Sequence, residues 1–446
     1  MKGAALKRLW TAKDLRNRLL ITAGLLVLYR AAAHVPVPGV DRDAIAQILQ
    51  SATGAGNLLS LFDLLSGGTV SNFSVLAMGV YPYITAQIIL QLMVPIIPAL
   101  KQRMEEDPRE GKQFMERWTY YLAIPMASLN AIGQIRLFQS SGLNVIPHFG
   151  FSGDNLLPTI TTLITMTGGT MFAIWLGELI SEYGIRNQGL SLIIFSGIVS
   201  GLPRSVGQLW SDEQTRYASL ALFLILVAIT VFAIVVVTQG RRNVPVMYPG
   251  RRIGRRQSMP VRGALPLLVN MAGMIPIIFA SAILSFPAII AQFFTQSQRQ
   301  WVRSFALGMQ DLFANQQNWG YITIYFFMVV LFAFFYTDVL FQQQNYGENL
   351  KRVGAQVPGV TQGAPTQRYL NKVLRRITLP GATLLGTVAV LPLLVGLMLV
   401  GYTSGSNAFF AIGSGLLIVV GVVKETFFGL ETELKLRGYD ESLLVS

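Results

Sequence analysis

Catalysis needs reactive side chains within reach of one another, and this 446-residue chain offers few of them. It has no cysteine, which removes thiol nucleophiles, disulfides and cysteine-held metal at one stroke. Its two histidines, His34 and His148, fall in segments expected to be loops on the outer side of a membrane, where solvated surface residues are the plainer reading. No zinc-type histidine pair, no facing aspartates and no Ser/His pair at membrane depth occur. The sequence therefore predicts no enzyme, no cofactor and no metal site.

Carriers that couple transport to ions bury charge near the bilayer centre, where it is costly and hence functional. Here Glu178, Glu182, Asp338, Lys424 and Glu425 all fall near the inner ends of apolar segments. The mid-depth positions are aliphatic instead: Val80 and Ile84, Ile194 and Ile198, Ile275 and Ile278, and Ile418. Such residues are by default packing or lipid-facing surface. Facing one another across a pathway, they would form an apolar constriction that excludes water and ions.

The elements that carry these residues are membrane spans. Hydrophobic residues make up 52% of the chain and charged ones 13%, too apolar for an ordinary soluble protein. A spanning helix needs roughly 20 apolar residues, and ten segments qualify: 19–33, 73–100, 118–137, 156–180, 190–209, 217–238, 265–294, 321–341, 377–402 and 408–428. Of the 35 basic residues, all but Arg30, Arg42, Arg136, Arg204, Arg216, Arg299 and Arg303 fall in alternate gaps. Short Lys/Arg-rich loops stay cytosolic, so both termini are expected inside. The fold class is an all-α polytopic membrane protein with a cytosolic N-terminal segment (1–18) and a cytosolic tail (429–446). The basic, amphipathic N-terminal segment lacks a small-residue cleavage site after the first span, so it is expected to be retained.

Ten spans divide into halves of five, 19–209 and 210–428. An odd number per half means that related halves run inverted, an arrangement that places the working site at their interface. Spans two and seven, each the second of its half, are both interrupted by Gly and Pro, with Pro82 and Pro95 in one and Pro266 and Pro276 in the other. Gly168-Gly169 in span four suits close helix packing. Residues 298–318, with Trp301, Phe305, Leu312 and Phe313 at helical spacing, predict an interfacial helix outside. Two basic loops stand out inside. Residues 238–263 carry Arg241, Arg242, Arg251, Arg252, Arg255, Arg256 and Arg262; residues 342–376 carry Lys351, Arg352, Arg368, Lys372, Arg375 and Arg376. Anionic lipid attracts such residues by about 1 kcal/mol each. However, NVPVMYPGRRIGRR (243–256) joins a strand-like run to turn residues, which suits a partner-binding loop.

Four stretches make the pattern specific: LLSLFDLLSGGTVSNFSVLAMGVYPYITAQIILQL (58–92), SEYGIRNQGLSLIIFSGIVSGLP (181–203), LPLLVNMAGMIPIIFASAILSFP (265–287) and GSGLLIVVGVVKET (413–426). Their order and spacing resemble the SecY family, central subunits of the bacterial protein-conducting channel, over nearly the whole chain. The resemblance implies two inverted five-helix halves around a central hourglass pore in the cytoplasmic (inner) membrane. It assigns Val80, Ile84, Ile194, Ile198, Ile275, Ile278 and Ile418 to a pore ring with its aliphatic neighbours. Leu58, Leu59, Leu61, Phe62, Leu64, Leu65 and Ser66 would belong to a plug over the outer vestibule. Spans two and three against seven and eight would be a lateral gate, with Asn130 and Asn270 as polar gate residues that could bond as a buried amide pair. The implied partners are SecE-like and SecG-like small membrane subunits, the SecA motor ATPase, the ribosome, signal peptides and nascent membrane segments, and anionic lipids. The two basic loops would dock the motor and the ribosome.

The chain departs from the family pattern at several positions. PGIRPG becomes PGVTQG (358–363), which puts Thr361 in place of an arginine, and an Asn-Pro pair becomes Gln342-Gln343. LPLKVN becomes LPLLVN with Leu268 for lysine, GIGNG becomes GIRNQG, and Asn130 stands where glutamine is expected. These changes leave the channel elements intact and point to altered motor coupling, as in a divergent or accessory channel.

Overall fold

The computed structural model describes residues 13–40, 69, 73–94, 96–140, 146, 149–150, 153–211, 216–249, 252–253, 256–257, 261–295, 297–399 and 406–436. The expected plug (58–66), together with His148, Arg251 and Arg255, lies outside the described residues. Helices α1 (Lys13–Ala32), α2 (Tyr81–Met93), α3 (Pro98–Glu106), α4 (Pro108–Ser140), α5 (Leu156–Tyr183) and α6 (Gly189–Ser211) come first. After α7 (Arg216–Gln239) the chain forms strands β1 (Arg241–Tyr248), β2 (Arg252–Ile253), β3 (Arg256–Gln257) and β4 (Val261–Leu268). It then continues as α8 (Ile275–Gln292), α9 (Gln300–Ala314), α10 (Trp319–Gln343), α11 (Tyr346–Arg352), α12 (Ala364–Leu399) and α13 (Ser406–Leu436).

Each expected span overlaps a helix, span two overlapping a broken pair. By length and composition, four stretches can cross a membrane: Leu156–Tyr183, Tyr217–Gln239, Trp319–Arg352 and Ala364–Met398. The pair α2–α3, bent by 98°, would be a fifth. The expected span two, drawn as continuous over 73–100, is thus corrected. Its helix starts only at Tyr81 and ends at Met93, and Pro98 opens α3, where a missing N–H costs nothing.

The all-α expectation is corrected in the loop after α7. β1 and β4 form an antiparallel hairpin in register from Arg241 opposite Leu268 to Tyr248 opposite Val261. The physical reason is period-two burial: Val244 and Val246 point inward between exposed Asn243 and Pro245. This hairpin absorbs residues 265–268, which the sequence assigned to span seven, so α8 begins at Ile275. In the same way residues 364–376, expected as loop, are the first turns of α12.

Helices of the first half pack on one another: α1 on α5 and α6, α2 on α4, and α5 on α4 and α6. In the second, α12 packs on α7, α10 and α13, and α8 on α9 and α10. The halves meet where α2 and α4 touch α8 and where α6 touches α7 and α13. Of the expected Gly168-Gly169 packing site only Gly169 makes a close approach, to the turn before α2, while a Cβ on Gly168 would meet nothing within 4 Å. A Cβ on Gly169 would strike the Val75 carbonyl, and one on Gly189 the Gly177 carbonyl.

Candidate functional site: an aliphatic constriction and its cytosolic platform

The site is built where α2 and α8 begin. Met78-Gly79-Val80-Tyr81-Pro82-Tyr83-Ile84 and Ala272-Gly273-Met274-Ile275-Pro276-Ile277-Ile278 fold alike. A glycine in the left-handed region, φ +52° at Gly79 and +63° at Gly273, is followed by a residue at φ −95° with ψ near zero. The helix then opens with proline in its first turn, where Pro is pre-organised and forfeits no bond. Only glycine takes the left-handed step freely, so both sharp turns into a helix are dictated locally.

These two openings bring Val80 and Ile84 towards Ile275 and Ile278. Ile194 and Ile198, one turn apart on α6, and Ile418 on α13 complete the set. All seven belong to one apolar cluster: Val80, Ile84, Ile194, Ile198 and Ile418 are buried, and Ile275 and Ile278 pack on them half-buried. The seven residues, carried by four helices, thus all lie in or against the main apolar core.

Below Ile418, α13 continues with Gly421 and Glu425 on the same face. Gly421 receives the Met274 side chain, for which no Cβ leaves room. Glu425 accepts hydrogen bonds from the Met274 backbone N–H and the Gln188 side chain, with Lys424 as its charged neighbour. A Cβ on Gly273 would sit 2.5 Å from the Glu425 carboxylate. Glu425 thus ties the α8 opening, the approach to α6 and α13 together. Nearby, Arg18 on α1 pairs with Glu433 at 2.7 Å, and Arg186 of GIRNQG lies 3.6 Å from the same carboxylate. The Ile185 N–H donates to Thr22 on α1 at 3.2 Å.

The expected gate amides do not bond as a pair. The Asn270 side chain donates to the Gly273 carbonyl at 2.9 Å and braces the α8 turn, while Asn130 Nδ2, buried on α4, has no partner. What does cross from α2 to α8 is the Tyr81 hydroxyl, which donates to the Ala282 carbonyl at 2.7 Å. Tyr81 was not singled out from sequence. A phenol among aliphatic residues at mid-span was the available signal, because a buried tyrosine hydroxyl seeks a partner. Glu425 was noted only as a charge at the inner end of its span.

The two basic loops form one body. Val244, Val246 and Leu267 of the hairpin pack with Phe341, Leu350, Ala355, Val357, Leu370 and Leu374, and Met247 and Gln356 exchange backbone bonds of 2.8 and 2.9 Å. The Tyr346 ring lies 5.0 Å from that of Phe341. On this platform Arg241, Arg242, Lys351, Arg352 and Arg368 are exposed, and Arg252 and Arg256 lie in β2 and β3. Thr361 is exposed at the tip of a turn between Gly359 and Gly363, both in the left-handed region. The fold therefore tolerates its replacement of arginine; what changes is surface charge.

Helix α9 exposes Trp301 and Phe305, and Phe313 packs partly buried against the main core. His34 is exposed, with Nδ1 at 2.7 Å from the Arg30 carbonyl. Among the described residues no group of three or more His, Asp or Glu could hold a metal ion.

Long apolar helices packed around one shared core, beside a basic platform, define a helical membrane protein. A profile of the SecY family matches residues 74–427, and the chain belongs to that family. It is 36% identical over 454 residues to the "Protein translocase subunit SecY" of Streptomyces scabiei, covering 98% of both chains. With the protein of the same description from Chlamydia trachomatis it shares 35% over 458 residues, 98% of this chain and 97% of the other. Among solved structures it resembles one described as "The structure of a protein conducting channel". That match has a TM-score of 0.61 and 17% identity, covering 96% of this chain and 93% of the other. A second is Sec61 in a canine ribosome–channel complex, with TM-score 0.56 and 17% identity over 96% and 93%.

Proposed function

We propose that this chain is the protein-conducting subunit of a bacterial translocase. It would pass unfolded secretory polypeptides across the cytoplasmic membrane and release apolar segments sideways into it. The observation that carries this reading is the family match over residues 74–427; Val80, Ile84, Ile194, Ile198, Ile275, Ile278 and Ile418, which all lie in or against the main apolar core, support it. In the full proposal, ten spans form two inverted five-helix halves around an hourglass pore, with both termini cytosolic. The aliphatic ring closes around a threading chain and limits ion leak. The segment containing Leu58 to Ser66 plugs the outer side at rest.

Sideways release runs between α2 and α4 on one side and α8 and α10 on the other. Partitioning selects the route, since one central charge costs about 2.5–3.5 kcal/mol on the insertion scale. The channel hydrolyses nothing itself. Force comes from a ribosome or a SecA-type ATPase docked on the basic platform, and SecE-like and SecG-like subunits and anionic lipids complete the assembly. The exposed Thr361, where the family pattern has arginine, favours a second form of this reading: a divergent or accessory channel with altered motor coupling.

The test is a thiol crosslink. The chain has no cysteine of its own, so Ile84→Cys or Ile278→Cys supplies a unique probe. A stalled secretory precursor bearing one cysteine in its translocating stretch should form an adduct with either variant in membranes. No adduct at either position would overturn the constriction.

A further inference from the structure

Met274, the residue that opens α8, is held by α13 at two points. Its backbone N–H donates to Glu425, and its buried side chain fills the place where a Cβ on Gly421 would stand. The three atoms nearest that position all belong to Met274, and its own Cβ lies 2.8 Å away. Helical spacing puts Ile418, Gly421 and Glu425 on one face of α13, so this contact falls within one turn of Ile418. Met274 also directly precedes Ile275. At the α2 opening the corresponding residue, Val80, is assigned to the ring; Met274 instead seats against α13. We propose that Met274 is a knob seated in the hole at Gly421, a positioning contact that sets α13 so that Ile418 reaches the ring. This rests on the reading that the aliphatic residues form a ring.

The argument for positioning is steric. Carbon atoms pack at about 3.5–4.0 Å, so a methyl group at 421 must displace either Met274 or α13. A change of rotamer moves the Met274 Cγ and Sδ but not its Cβ, whose place the backbone fixes. That backbone is set by left-handed Gly273 before it, by proline in the first turn after it, and by the bond to Glu425. Helix α13 therefore gives way, and Ile418, three residues earlier on the same face, moves with it. Dispersion contacts fade over fractions of an ångström, so a small shift opens a gap through which water and ions pass. Glycine is disfavoured inside a helix; at 421, between Val420 and Val422, the hole for Met274 is its reason.

The experiment uses the full channel complex in proteoliposomes, with a stalled secretory precursor in the channel so that the ring itself must hold ions back. The readout is the decay rate of an imposed potassium diffusion potential, per occupied channel. Gly421→Ala should make the potential decay faster than in wild type. Met274→Phe enlarges the knob from the α8 side and should do the same, so the test stands if one variant fails to assemble. Gly421→Ala combined with Met274→Ala exchanges knob and hole, and should return the decay most of the way to the wild-type rate. General loosening predicts the opposite, since a second truncation removes more packing. Variants that seal like wild type, or a Gly421→Ala leak that Met274→Ala does not relieve, overturn the knob. Ile278→Gly with Ile418→Gly thins the ring directly and tests the reading beneath. If that channel leaks while Gly421→Ala and Met274→Phe seal, only the knob is wrong; if it too seals, the ring falls and the knob falls with it.

Discussion

The two helix openings share a backbone and differ in what braces them. At the α2 opening the supports come from the segments just before it: Thr69 donates to the Leu76 carbonyl at 2.7 Å, the Leu76 N–H bonds to Ser74 Oγ at 3.1 Å, and the residues after α1 pair with the turn through Val37 N–H to the Phe73 carbonyl at 3.0 Å and Val75 N–H to the Val35 carbonyl at 2.9 Å. At the α8 opening, Asn270 holds the Gly273 carbonyl, but Glu425 of α13 and Gln188 before α6 hold the rest. One turn can therefore shift as a unit with its own segment. The other is bolted to two further helices. In the proposed ring, this asymmetry predicts movement on the α2 side and a fixed frame on the α8 side.

The contrast breaks most severely at the glycines. Gly273→Val places a β-branched residue in the left-handed region and drives its Cβ onto the Glu425 carboxylate. Backbone strain of this kind costs about 1–3 kcal/mol, with the clash in addition. Gly79→Val carries the same backbone strain at φ +52°. Thermal unfolding of the purified complex should rank Gly273→Val below Gly79→Val, and both well below wild type. Equal losses would mean that the Glu425 brace adds nothing.

Glu425 supplies the next test. Glu425→Ala strands the Met274 N–H and the Gln188 amide inside the protein, and an unmet buried group costs about 1–3 kcal/mol. Glu425→Gln keeps an acceptor in place and should retain most of the stability. If Gln proves as damaging as Ala, the charge beside Lys424, and not the hydrogen-bond set, holds the α8 opening.

Much of this was legible in the sequence, for identifiable reasons. Apolar length located the long apolar helices, because bilayer thickness acts on any chain alike. The paired Gly/Pro interruptions pointed to α2 and α8, because glycine and proline restrict the backbone whatever surrounds them. The seven aliphatic residues all lie in or against the main apolar core. What could not be read was tertiary choice. Asn270 and Asn130 looked like partners, yet Asn270 spends its amide three residues away, since a short-range carbonyl wins over a distant one. The hairpin took residues 265–268 from an expected span because Val244, Val246 and Leu267 had a cytosolic core to join, a core made by the other basic loop. Tyr81 reads as one more apolar residue until the Ala282 carbonyl is placed opposite it.

The smallest effect discriminates most finely between the two turns. Thr69→Val removes the hydroxyl from the Leu76 carbonyl, but that carbonyl also accepts the Gly79 N–H at 2.8 Å, so a donor remains. The loss should be about 0.5 kcal/mol, the low end for one hydrogen bond. Asn270→Ala removes the side-chain donor from the Gly273 carbonyl and leaves a gap where a 7%-exposed amide had been. Its cost should be about 1 kcal/mol or slightly more. Measured by thermal unfolding in one detergent, Asn270→Ala should lie below Thr69→Val. The reverse order would place the rigid frame on the α2 side and the moving turn at α8, exchanging the roles assigned to the two halves of the ring.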